Sequence, residues 1–279
     1  MSVPAENFSE QNSPENRVPA AAGNACAGTS REIAVPGVRN FRDLGGIAVA
    51  GGKRVRRGLV FRSAKFDTIL PEGERVIAAL GVRTIVDFRS PGERARNPTR
   101  AALGAPARTI LLPVFADTPN GYFEEKLTRG LTPEAATAFM EEANRSFARE
   151  HAAAFRDFFA LFDDEANFPL IFHCTGGKDR TGFAAAMLLS VLGAGDDAIF
   201  DDFLLSRKNT IPKSNRATDA LLEIVPAETL DVLLTVLPQF LRASLDEIDA
   251  VWGSRERFLR EALGVVPARA AHMRAFLLE

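Results

Sequence analysis

Hydrophobic and polar positions alternate between two regimes along this chain. Four short apolar runs, at 58–64, 84–90, 107–113 and 168–172, are bounded by polar or turn residues and have the length of buried strands. Between the first two, residues 71–80 read as a helix, with Gly81 where a left-handed cap is wanted. Thr132-Pro133-Glu134 is a helix start, with threonine as cap and proline in the first turn. The helix or helix pair that follows runs to about Phe162, and Phe155, Phe158, Phe159 and Phe162 recur at helical spacing as a core stripe. His151 lies on that face one turn before Phe155 and reads as a packed histidine. Residues 180–192 are apolar all round, the mark of a central buried helix, and Asp196 or Asp197 starts the next one, through Phe200, Phe203 and Leu204.

The last third is helical throughout. Leu230, Leu233, Leu234, Leu237 and Leu241 form one stripe, which Val232, Val236 and Phe240 widen to nearly the whole circumference. Pro238 either breaks this helix or sits in the first turn of another. The order of elements predicts an α/β fold, a central sheet flanked by helices with a helical C-terminal third. No repeat or linker divides it, so residues 31–279 are expected to form a single domain behind a disordered tail, residues 1–30, rich in Pro, Ala, Asn, Glu, Ser and Gly.

Composition narrows the picture only a little. An apolar content of 46% and a charged content of 25% are ordinary for a globular protein with a sizeable core. A net charge of −2 argues against nucleic-acid binding by bulk electrostatics. The two cysteines, Cys26 and Cys174, make neither a disulfide framework nor a zinc pattern. No run reaches the length of a membrane span, and the N-terminus lacks the basic and apolar regions of a signal peptide. A cytoplasmic location is expected, with export by a signal-less route left open.

The chemistry concentrates in His173-Cys174-Thr175-Gly176-Gly177-Lys178-Asp179-Arg180-Thr181-Gly182, between the strand at 168–172 and the buried helix. The first amides of a helix lack intrahelical partners, and the helix dipole adds positive potential there. Gly176 and Gly177 let the backbone curl into an anion nest, and Arg180 adds a planar fork for two phosphate oxygens. The same field favours a thiolate at Cys174. Nucleophile and anion cradle thus share one loop, as transfer of a phosphoryl group to sulfur requires.

This Cys-x5-Arg loop resembles that of cysteine-dependent protein tyrosine phosphatases, and its full form is similar to the atypical bacterial group typified by mycobacterial protein tyrosine phosphatase B. The Gly-Lys pair also resembles lipid phosphatases. Val38 to Gly46, with Asn40-Phe41-Arg42-Asp43, the two Phe-Arg-Ser segments at 61–63 and 88–90, and Phe240-Leu241 through Trp252-Gly253 extend the likeness over most of 33–279. The resemblance implies a protein-tyrosine-phosphatase-like fold and a helical lid at about 209–245, while the apolar pattern alone reads equally as a core helix. The resemblance also implies attack by Cys174 on phosphorus, a phosphocysteine intermediate and hydrolysis by water, with no cofactor or metal.

Expected phosphate ligands are Thr175, Gly176, Gly177, Lys178, Thr181 and Gly182 together with Arg180. Thr181 is placed to hydrogen-bond the sulfur, and His173 to orient the loop. The general acid has three candidates: Asp179, on which the resembled group relies, then Asp87, which could instead brace the loop, then Asp117. An ion pair with Lys178 is the alternative for Asp179. Arg42, Arg62 and Arg89 either line a phosphate site or hold neighbouring loops, the latter being the better reading. Lys178 makes phosphoinositides plausible substrates beside phosphotyrosine and phosphoserine/threonine proteins, with transient membrane-surface contact. Two other classes use such a loop. A sulfurtransferase or arsenate reductase would want further cysteines in the second case, and a non-catalytic phosphate-binding module would have no need of Cys174.

Overall fold

A computed structural model describes residues 30–99, 107–115, 131–209 and 225–279. The expected tail up to residue 29, Cys26, Asp117 and the 210–224 part of the expected lid lie outside the described residues.

Five strands form one mixed sheet: β1 (Arg42–Asp43), β2 (Val60–Ser63), β3 (Thr84–Asp87), β4 (Arg108–Leu111) and β5 (Leu170–His173). Their order is β1-β2-β5-β3-β4, with β1 antiparallel to β2 and the other pairings parallel. Strand β5 is therefore central and is buried along its whole length, whereas β4 at the edge is mostly exposed. Register sets the position of the site. His173 pairs with Ser63 on one side and Asp87 on the other, so β2, β3 and β5 end level with one another. Whatever follows these three strands emerges at one edge, where parallel sheets bind their ligands.

Alternation along the strands divides the core in two. Val60, Val86, Leu170 and Phe172 enter the larger cluster, and Phe61, Ile85 and Ile171 enter the smaller one on the opposite face. Helix α1 (Pro71–Ala79) covers the smaller cluster with Ile77, and Gly81 follows it at φ +66° in the left-handed conformation expected of a cap. Helix α2 (Pro91–Arg96) is short. On the larger face, α3 (Pro133–Arg149) starts at the Thr132 cap, and α4 (Ala152–Ala160) carries the phenylalanine stripe. Helix α5 (Asp179–Leu192) is buried from Thr181 to Leu189. Helix α6 (Asp196–Leu204) packs on α5. Helix α7 (Ala227–Leu234) ends before Pro238, which is the first residue of α8 (Pro238–Trp252); α9 (Pro267–Leu277) closes the chain. No helix among the described residues is long and apolar enough to cross a membrane.

Two elements differ from the sequence pattern. The run at 84–90 stops as a strand at Asp87, because the Asp87 carboxylate takes the Arg89 amide and Ser90 then caps α2. Strand β1 is two residues long and carries Arg-Asp, too short and too polar to read as a strand.

The phenylalanine stripe fuses α4 to the sheet. Phe158 lies 5.6 Å from Phe88, 5.4 Å from Phe159, 5.3 Å from Phe162 and 5.1 Å from Phe172, measured between ring centroids. Phe158→Ala is expected to destabilise the fold by about 3–5 kcal/mol through the cavity it opens. Urea unfolding checks this; a loss below about 1 kcal/mol would mean that the stripe repacks without cost.

Candidate active site

Cys174 follows the last residue of β5, and the chain turns through 175–178 into α5 at Asp179. Its side chain joins the larger core cluster and is 2% exposed. The loop packs against the end of β2: Lys65 donates its amide to the Thr175 carbonyl at 3.2 Å. At Gly177 the backbone takes φ +65°, and a Cβ there would stand 2.3 Å from the Ser63 carbonyl oxygen. Only glycine fits that approach. Gly176 has no such constraint, its nearest neighbours being the flexible Lys178 stem at 3.4 Å and beyond, so the curl expected of both glycines falls on Gly177. Gly182 serves packing instead: a Cβ would meet the Phe203 ring at 2.6 Å, so its absence lets α6 lie close to α5.

The amides of residues 175 to 181 donate to no acceptor among the described residues, while the carbonyls of the same loop are held from outside. Asn40 Nδ2 donates to the carbonyls of Gly176 at 3.1 Å and Gly177 at 2.8 Å. Arg62 Nη2 donates to the Gly177 carbonyl at 2.8 Å. Arg42, Arg62 and Arg89 are all buried and all committed to protein partners, Asp202 for the first two and Asp87 for the third. They hold loops and do not line the cradle.

Arg180 is fixed by Glu93 of α2. Nη1 and Nη2 donate to its two carboxylate oxygens, each at 2.7 Å, and Nη1 also reaches the Val114 carbonyl at 3.2 Å. These contacts use one edge of the guanidinium and leave Nε and the outer Nη2 hydrogen for two further acceptors. Thr175 Oγ1 donates to the same carboxylate. Glu93 itself is set by a capping box, its Oε2 accepting from the Ser90 amide at 2.8 Å and its amide donating to Ser90 Oγ at 3.1 Å. Burial opposes the Glu93 charge, but the Arg180 hydrogen bonds overcome it and lower its pKa to about 2. Sequence reasoning missed Glu93, although Ser90-Pro91-Gly92-Glu93 carries the Ser-x-x-Glu signature of a helix start.

The remaining candidates separate by their contacts. Asp87 is 2% exposed and accepts from the Arg89 amide at 2.9 Å and from Nη2 at 2.8 Å. Burial pushes its carboxyl up, but the Arg89 hydrogen bonds and nearby His173 outweigh this and hold it below the usual carboxylate range. Bracing fits these contacts and proton donation does not. His173 places Nδ1 3.1 Å from the Cys174 carbonyl, which can only accept, so Nδ1 carries the proton. Burial holds the imidazole below its ordinary pKa, against the pull of Asp87. Asp179 Oδ2 pairs with Lys178 Nζ at 2.8 Å, and its Oδ1 is buried without a partner. Lys178 Nζ also donates to the Thr235 carbonyl at 3.0 Å, between α7 and α8. The bond from Thr181 to the sulfur is not formed: its hydroxyl is buried without a partner. The His151 ring lies 6.3 Å from that of Phe115, measured between centroids. No group of three His, Cys, Asp or Glu side chains among the described residues is arranged to hold a metal.

A cysteine and a braced arginine stand at the two ends of a row of amides with no acceptor among the described residues, a donor set suited to a tetrahedral oxyanion beside sulfur. The chain belongs to the tyrosine phosphatase family, whose sequence profile matches residues 33–279. It is 36% identical over 250 residues to H16_A0669 of Cupriavidus necator, a protein named with the tyrosine-protein phosphatases, covering 89% of this chain and 90% of that one. It is 30% identical over 278 residues to the triple specificity protein phosphatase PtpB of Mycobacterium tuberculosis, covering 88% of this chain and 98% of that one. Among solved structures, TpbA of P. aeruginosa matches at 22% identity over 65% of this chain and 88% of that one, with a TM-score of 0.30.

The depressed Glu93 value has a pH consequence. A carboxylate whose folded pKa lies below its unfolded 4.5 stabilises the fold fully above that value, and the contribution is lost as pH falls towards about 2. The difference in unfolding free energy between the wild type and Glu93→Gln should be constant above about pH 5 and shrink steadily below it. A difference unchanged from neutral pH down to the Glu93 value would show that the Arg180 pair adds nothing to stability.

Proposed function

We propose that this protein hydrolyses phosphate monoesters through a phosphocysteine intermediate. Its substrates are phosphotyrosine proteins first, with phosphoserine/threonine proteins and phosphoinositides in its range. The observation that carries this reading is the Cys174–Arg180 loop with Glu93 clamping one edge of Arg180, which leaves the Nε edge to grip two oxygens of a phosphate. Cys174 attacks phosphorus in line and the ester oxygen departs; water then cleaves the sulfur–phosphorus bond and releases inorganic phosphate. Arg180 and the amides of the loop hold the equatorial oxygens through both steps, supplying the positive charge that phosphoryl transfer needs without a metal.

Asp179 is the group assigned to protonate the leaving oxygen. Its buried, unpartnered Oδ1 supports that role, since an oxygen arriving there would satisfy it. A dianionic phosphate competes with Asp179 Oδ2 for Lys178. Lys178 then serves a second phosphate or a lipid headgroup, and the triple specificity by which PtpB is named supports a broad substrate range. Of the segment at about 209–245, we assign a lid role to the described residues 225–237; Phe240, Leu241 and Leu245 beyond them are buried in the larger core cluster. In support, residues 225–237 are latched to the site by Lys178 on the Thr235 carbonyl and by Arg207 Nε on the Val236 carbonyl at 2.8 Å. The single phosphatase domain is taken to span 31–279.

Phosphate release from a phosphotyrosine peptide, a phosphoserine peptide and a phosphoinositide panel tests these assignments. Cys174→Ser should abolish turnover on all of them. Asp179→Ala should slow the phosphotyrosine peptide by roughly 10²–10⁴-fold and p-nitrophenyl phosphate far less, because its leaving group needs no proton. Lys178→Ala should cost more on phosphoinositides than on phosphotyrosine. Turnover surviving in Cys174→Ser would refute the thiolate mechanism.

A further inference from the structure

We infer that Asp202, on α6 and outside the active-site loop, is the residue that aims the loop's amides at the phosphate. The inference rests on the phosphate-cradle reading above and assigns a positioning role to a residue that touches no substrate.

Asp202 is 1% exposed and gathers three guanidinium groups. Arg31 Nη1 and Arg42 Nε donate to its Oδ1 at 2.8 and 3.0 Å, and Arg62 Nη1 donates to its Oδ2 at 2.6 Å. Its backbone carbonyl accepts from Arg42 Nη2 at 2.7 Å. Two arms run from this hub to the loop. In one, Arg62 extends Nη2 to the Gly177 carbonyl at 2.8 Å and, more weakly, to that of Lys178 at 3.4 Å. In the other, Arg42 Nη1 donates to Asn40 Oδ1, and Asn40 Nδ2 donates to the carbonyls of Gly176 and Gly177. Asn40 holds φ +56° to make this reach, a conformation that asparagine and aspartate tolerate better than most residues.

Planarity turns these contacts into aim. In a trans peptide the C=O and the N–H of the next residue point in opposite directions. Carbonyls of 176, 177 and 178 pulled into the protein by Asn40 and Arg62 therefore drive the N–H groups of Gly177, Lys178 and Asp179 the opposite way, and those amides have no partner among the described residues. A loop with Gly176 and Gly177 at its centre has little conformational preference of its own to do this. Asp202 keeps both arms in place: without its charge, Arg42 and Arg62 repel each other and lose their common anchor. Gly182 permits the arrangement, since a Cβ there would strike the Phe203 ring and push α6 away.

Two substitutions of unchanged size test the assignment. Asp202→Asn removes the counter-charge. Asn40→Asp keeps the backbone preference and the pairing with Arg42 but replaces the donor to Gly176 and Gly177 by an acceptor. Binding of inorganic phosphate, titrated calorimetrically on the folded full chain, should weaken about 10- to 100-fold in each, the loss expected for misdirected hydrogen bonds to a charged ligand. The kcat on p-nitrophenyl phosphate should fall at least as far, with near-wild-type circular dichroism in Asn40→Asp. Folded variants that bind phosphate within twofold of wild type would overturn the inference, and Asn40→Asp alone decides if Asp202→Asn does not fold. Wild type that binds phosphate but hydrolyses no ester would sink the proposed function while leaving the binding comparison intact. Wild type that binds no phosphate would overturn both.

Discussion

The contact on which the site depends is the pair between Glu93 and Arg180. An arginine side chain has many rotamers, and one that must meet a phosphate at a fixed angle cannot afford them. Glu93 removes that freedom from one edge of the guanidinium, and its own freedom is removed by Ser90 and Thr175. The carboxylate thereby ties α2, the start of the loop and the first turn of α5 into one unit. Burial makes the arrangement demanding. Arg180 and Glu93 are each costly to desolvate alone and are stable together only because the geometry is bidentate.

Much of this was legible in the residues, and the gaps have a common cause. The apolar runs marked four of the five strands, and the phenylalanine stripe, the Thr132 cap and the Gly81 stop fell where the structure puts them. Each is a local signal, carried by periodicity or by a cap. Cys174 and Arg180 were legible because the proposed cradle and nucleophile sit in one stretch of chain. Glu93, Asn40 and Asp202 act across sequence separations of 87, 137 and 140 residues, to Arg180, Gly177 and Arg62 respectively. No local pattern encodes such pairings, because strand order and register decide them. Asp87 shows the converse: a carboxylate at a strand end beside the loop looks available, yet it is taken by Arg89, two residues on.

Net charge is a poor guide to such a site. The chain carries −2 overall, yet Arg42, Arg62 and Arg180 converge on one loop, and the last two lie within Coulombic reach of Cys174. A field this local is weakly screened, because burial keeps solvent and salt from between the charges. Asp202 and Glu93 balance part of that charge at the site itself, each paired directly with these arginines.

The buried arginines also bear on why such a network persists at all. Three guanidinium groups around one carboxylate are a poor way to stabilise a fold, since apolar side chains of similar volume would avoid the desolvation of four charges. What apolar residues cannot do is hold a carbonyl. Hydrogen bonds have direction and packing contacts have little, and this loop needs its carbonyls drawn to one side so that its amides remain on the other. The stability forgone in burying those charges is thus tied to a property that packing could not supply, the orientation of successive peptide planes around an anion. The same logic separates the glycines: Gly177 and Gly182 are required by close approach, Gly177 to the end of β2 and Gly182 to α6, and both approaches bring the donors from Arg62 and the hub on Asp202 within reach of the loop.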